Sequence, residues 1–137
     1  MGQQQLLLIV LSVIIVGIAV VVGINMFGAS AASANLDAVT NDLLHYASRA
    51  QQYYVKPTSM GGGGNSFADL ASDADLPSLL GVQLSNDNGT YSIAAAGDNN
   101  SVKIQGVGLY DGDGDGTDVT ITIEVFEDSL ATVVVSR

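Results

Sequence analysis

The sequence contains no cysteine and no tryptophan, only two prolines, and four bases against fourteen acids. Without cysteine there are no disulfides and no thiolate metal ligands, and the redox compartment is left open. The bases Arg49, Lys56, Lys103 and Arg137 form no cluster, and the formal net charge is −10. A direct nucleic-acid site is therefore not expected, and anionic membrane surfaces repel the soluble part. His45 is the single histidine and falls on the polar side of a helical pattern. It supports no Ser/His/Asp set, and no paired glutamates stand out, so no catalytic residue is assigned and an enzyme is not expected.

What the chain does have is one long apolar run. From Leu6 to Ile24 the only polar side chain is Ser12. At about 1.5 Å per residue these residues span roughly 29 Å, close to a bilayer's hydrocarbon core. The length of 137 residues suits one domain with an extension.

Three readings of the run compete. A cleavable signal peptide would explain Ala32-Ser33-Ala34, but no base precedes the run and the run exceeds the usual signal length. A plain single-span anchor lacks the flanking positive charge that orients such segments. The third reading rests on Met1-Gly2-Gln3-Gln4-Gln5-Leu6 followed by the apolar run. This N-terminus resembles a mature type IV pilin or pseudopilin, a family in which a peptidase removes a basic leader.

With Met1 as the mature first residue, the resemblance accounts for the missing charges. It implies a homopolymer of identical subunits, held in the inner or cytoplasmic membrane before assembly. It also implies a prepilin peptidase and an assembly machinery, and an extracellular filament at the cell surface. Two departures stand out. The family usually carries Glu where this chain has Gln5, and many members have a proline where Val22 and Gly23 stand. An alternative register would begin the mature chain at Gln3.

Beyond Gly28 the pattern becomes amphipathic. Leu36, Val39, Leu43, Tyr46, Ala50 and Tyr53 recur at spacings of three and four, widened by Ala47 and Tyr54. Pro57 ends the pattern. One helix of about 80 Å is expected, with residues 1–28 protruding as membrane anchor and filament core. Residues 29–137 form the head, which includes the amphipathic half at 29–55. The expected assembly residues are Met1, Gln5, Leu6, Val10, Val16, Gly17 and Gly23. Gly17, Gly23 and Gly28 serve either close helix approach or local unwinding.

In the head, Pro57–Asn65 reads as a flexible connector and Ser66 as the cap of a short helix, FADLAS. Pro77 suits the first turn of a second short helix reaching Leu80. From about 91 to 136 the period becomes two, giving strands at Tyr91–Ala95, Val102–Tyr110, Val119–Val125 and Leu130–Ser136. The expected fold is α+β, a long helix on a four-stranded antiparallel sheet, which is also the type IV pilin-like architecture that the resemblance implies.

One motif carries chemistry. Asp111, Asp113 and Asp115 alternate with glycines, followed by Thr117 and Asp118. Oxygens at positions one, three and five with glycine at six match the start of a calcium loop. Position twelve departs, since Thr122 stands where a bidentate Glu is usual. A Ca2+ site and a solvated acidic turn both fit. Asn88-Gly89-Thr90 and Asn99-Asn100-Ser101 match the glycosylation sequon, a frequent chance pattern. The leading function is a structural filament subunit. The alternatives are a minor pilin or secretion pseudopilin, and a single-span membrane-anchored calcium-binding module.

Overall fold

The computed structural model describes residues 2–136. Helix α1 runs unbroken from Gly2 to Val55, 54 residues or about 80 Å. No proline interrupts it, and two of its hydroxyls bond back to the helix itself. Ser12 Oγ donates to the Leu8 carbonyl at 2.6 Å and Thr40 Oγ1 to the Leu36 carbonyl at 2.7 Å.

The expected flexible connector is instead a tight cap on the end of α1. Thr58–Met60 makes one 3-10 turn. The chain then turns back, so that the amides of Gly63, Gly64 and Asn65 donate to the carbonyls of Tyr53, Lys56 and Tyr54 at 2.8–3.0 Å. These bonds occupy carbonyls that a helix end would otherwise leave unpaired. The glycines permit this by closeness, not looseness. A Cβ at Gly63 would sit 2.2 Å from the Ser66 carbonyl oxygen.

The short helix expected after Ser66 does not form. That segment is a series of turns, in which Ser66 Oγ accepts from the Ala68 amide at 3.1 Å. Leu76–Leu80 does form one helical turn, of π type, with Pro77 in its first residues. Gly81 closes it at φ 67°.

Among the described residues the sheet has five strands, not four: β1 (Ser85–Asn86), β2 (Gly89–Ala95), β3 (Ser101–Val107), β4 (Thr120–Phe126) and β5 (Leu130–Ser136). They lie in sequence order, each antiparallel to the next. β1 is a two-residue edge, too short to show a period. β3 ends at Val107, three residues before the expected Tyr110. Beyond it the Gly108 amide donates to the Val119 carbonyl and the Leu109 amide to the Asn35 side chain.

The architecture is α+β, with the second half of α1 lying across β3 and β4. Val39, Leu43, Ala47 and Ala50 on the helix are fully buried, as are Ile104 and Val125 on the sheet. Phe67, Leu70 and Leu76 close the core from the segment between. Gly106 lets the helix approach: a Cβ there would lie 2.7 Å from Val39 Cγ1. Each fully buried apolar side chain contributes about 1.5–3 kcal/mol.

Candidate assembly surface

The head covers α1 only from Ala32 onward; every described residue before it is exposed or half-buried. An 18-residue window of the free half has mean hydropathy 3.3 and none of it is buried, so the helix is long and apolar enough to cross a membrane. The first charged residue of the chain is Asp37. A helix that is apolar on every side requires cover on every side. One with a single apolar face needs only one partner.

Of the expected assembly residues, Gln5, Leu6, Val10, Val16 and Gly17 are exposed and Gly23 is half-buried. Met1 lies outside the described residues. At about 100° per residue, Gln5, Val16 and Gly23 fall close to one line along the rod. Leu6, Val10 and Gly17 form a second line, about a quarter to a third of a turn away. The helix stays regular through Gly17, Gly23 and Gly28, and a Cβ at any of them would meet nothing within 4 Å.

Where the rod enters the head, polar side chains fix it. Asn35 is 8% exposed although its neighbours in the stripe are apolar. Its Nδ2 donates to the Asn88 carbonyl at 2.8 Å, and its Oδ1 accepts from the Leu109 amide at 2.9 Å. Two turns further on, Asp42 Oδ2 accepts from Asn86 Nδ2 and Asn88 Nδ2, both at 2.8 Å, and from the Tyr91 hydroxyl. Burial works against the Asp42 charge, but the bonds from Asn88, Tyr91 and Asn86 outweigh it and hold the carboxyl below its ordinary range. Burial, then the Asp42 carboxylate, push the Tyr91 phenol well above its ordinary value.

At the far end of α1, Tyr54 donates to Glu127 at 2.9 Å and Tyr53 to Asp69 at 3.2 Å. Gln51 Nε2 donates to the Phe126 carbonyl at 3.1 Å. The stem tyrosines are thus structural ties, as is Tyr46, which donates to the Gln83 carbonyl at 2.6 Å. His45 is exposed and meets the Tyr46 ring edge-on. Asn35 and Asp42 do not stand out in the sequence pattern. The local signal is a polar residue within the helical stripe, at position 35, four residues before Val39.

The acidic loop brings three of its expected ligands together. Carboxylate oxygens of Asp111, Asp113 and Asp115 lie within 4.8 Å of one another. The same carboxylates organise the turn. Asp111 accepts from the amides of Gly114 and Gly116 at 2.7 Å and of Asp113 at 3.1 Å. Gly114 and Gly116 take φ of 82° and 90°, which glycine adopts freely. The backbone amides of Gly116 and Gly114 lower the Asp111 pKa, and the Thr117 side chain and amide lower that of Asp115. The Thr117 hydroxyl is bonded to Asp115, and the Asp118 carbonyl accepts from the Thr120 hydroxyl at 3.0 Å. The trio fits a hard cation with three oxygens, about half of a calcium ligand set.

Of the two sequon asparagines, Asn88 spends its amide on Asp42, whereas Asn99 lies exposed and accepts from Ser66 Oγ. The chain matches no protein-family model, no curated protein and no solved structure.

Proposed function

We propose that this chain is a structural subunit of an extracellular type IV pilus-like filament and polymerises through the free half of α1. The observation that carries the reading is the exposure of that half on all sides, with Leu6 at 63%, Val16 at 60% and Ile24 at 66%. Lipid covers such a rod before assembly, and a bundle of identical rods covers it afterwards. More than a dozen Leu, Ile and Val side chains at about 1.5–3 kcal/mol each exceed the roughly 4–15 kcal/mol of freedom lost on association. A contact that does not close on itself gives a helical polymer.

Under this reading the enzyme classes drop out of consideration and Gln5 sets the main alternative. It hydrogen-bonds but makes no ion pair, which also suits a minor or pseudopilin-type subunit. The carboxylates of Asp111, Asp113 and Asp115 favour a further role for the head, weak binding of Ca2+. Electron microscopy of the purified full-length chain tests the main reading. Long fibres of one subunit support it; monomers that persist when detergent is removed, with the apolar run intact, overturn it.

A further inference from the structure

We propose that the groove beside Arg49 and Lys56 receives the acidic loop of a second copy, Asp111–Asp118, within the filament. The proposal rests on the filament reading above. The groove lies between the last turns of α1 and the Leu76–Leu80 turn, with a volume of about 120 Å³. Arg49, Gln52 and Lys56 line one side of it, and Leu79 and Leu80 the other. Lys56 follows the last residue of α1, its amide still bonded to the Gln52 carbonyl at 3.1 Å, so the two bases stand about 10 Å apart along the helix axis.

Two features single this groove out. First, it gathers two of only four bases in a chain with fourteen acids. Among the described residues neither base makes an ion pair. The nearby acids are held by their own neighbours. Asp69 accepts from Tyr53, and Asp75 from Ala71 and Ser72. Second, the acidic loop sits at the opposite end of the head. Its entry is fixed by the bond from the Leu109 amide to Asn35, and Lys56, just past the end of α1, lies 21 residues beyond Asn35, a separation of about 30 Å. Within one subunit the loop and the groove cannot meet.

Parallel rods staggered along a filament axis bring the rod-side end of one head toward the far end of another. There the exposed carboxylates of Asp113 and Asp115 face Arg49 and Lys56. The contact neutralises charge at a junction where subunits of net charge −10 would otherwise repel. Asp111 spends both its oxygens on the turn, whereas Asp113 and Asp115 are exposed and each gives the turn only one, to the Asp115 amide and to Thr117 respectively.

The absence of native cysteine gives a direct test. Lys56→Cys and Asp113→Cys are made separately in the full chain, assembled together with chelator present, and treated with a short bifunctional maleimide, because an extended lysine–aspartate pair holds its Cα atoms farther apart than the roughly 7 Å a disulfide spans. Each subunit carries a single cysteine, so only an intermolecular link can form. The expected result is a cross-linked dimer in mixed fibres and none in fibres of either variant alone. Mixed fibres without the dimer, or equal dimer in single-variant fibres, overturn the docking while leaving the filament intact. Loss of fibres from the wild-type chain would instead overturn the filament reading. As a second measurement, R49E/K56E fibres should assemble poorly at low ionic strength and recover as salt screens the repulsion, and adding D113K/D115K should restore assembly at low salt. Unchanged assembly of R49E/K56E at low salt counts against the contact.

Discussion

The hydroxyl of Tyr91 on β2 donates to the carboxylate of Asp42 on α1 at 2.5 Å, joining the sheet to the helix through a charge-assisted bond. The same carboxylate oxygen takes the amides of Asn86 and Asn88, so the β1–β2 turn is held to the stem as well. The rod is therefore continuous with a helix that the head grips at both ends, through Asn35 and Asp42 at one and Tyr53 and Tyr54 at the other.

That network predicts a pH window for the head. The Asp42 pKa is lowered on folding, so its contribution is complete above the ordinary aspartate value of about 3.9 and fades as pH falls through the folded value. Asp75, Asp98 and Asp111 are shifted the same way and add to the acid limb. The Tyr91 pKa is raised, so its contribution is complete below about 10 and fades as pH rises beyond it. Thermal melts of the detergent-solubilised chain should be level between about pH 5 and 9 and fall on both sides. Asp42→Asn should lower the plateau and soften the acid limb. An acid limb as steep in Asp42→Asn as in wild type would show that other carboxylates govern it.

Asn35 predicts a second effect. Asn35→Ala leaves the Asn88 carbonyl and the Leu109 amide without their partner. An unsatisfied buried group costs about 1–3 kcal/mol. The melting temperature of the head should fall by several degrees, since about 1 kcal/mol shifts a small domain by roughly 4–8 °C. Retention of the chain in membranes should not change, because the residue lies beyond the apolar run. A melt within one degree of wild type would mean that water replaces both bonds without loss.

The acidic loop predicts weak Ca2+ binding that the fold does not require. Three carboxylates converge, and the Thr117 hydroxyl is bonded to one of them, Asp115. Calorimetry should find an affinity no tighter than the roughly 0.1–1 mM of extracellular calcium modules, abolished by Asp113→Ala. A chelator should lower the melt by little, since the backbone amides already neutralise part of the loop's charge. Heat of binding absent at millimolar Ca2+ would leave the loop an acidic turn and nothing more.

Much of this molecule is legible in its residues. The apolar run, the stripe from Leu36 to Tyr53 and the alternation from Val119 to Val125 each show a period longer than the noise around it. Where structure and sequence pattern differ, the causes are local. The run Gly61–Gly64 reads as loose because glycine permits freedom; in the fold it permits contact, with Gly63 against Ser66. β1 has two residues and no period to read. Asn35 and Asp42 carry the rod-to-head junction, yet their partners lie 44 to 74 residues away. Nothing local announces a bond across that distance.

Val16 gives the decisive prediction for the rod. It is 60% exposed and stands about sixteen residues from the first side chain that the head buries, Ala32. Val16→Asp therefore has no route to the head's core, and the melting temperature should stay within a degree of wild type. In a bundle of rods the same change places a carboxylate where no water or partner neutralises it. Insertion scales put such a charge at about 2.5–3.5 kcal/mol in lipid, and each subunit of a fibre would carry it. Fibres should be absent while the head stays folded, and Val16→Leu should restore them. A folded Val16→Asp subunit that still forms normal fibres would show that the polymer is built through the heads, and that the rod serves only to hold the chain in a membrane.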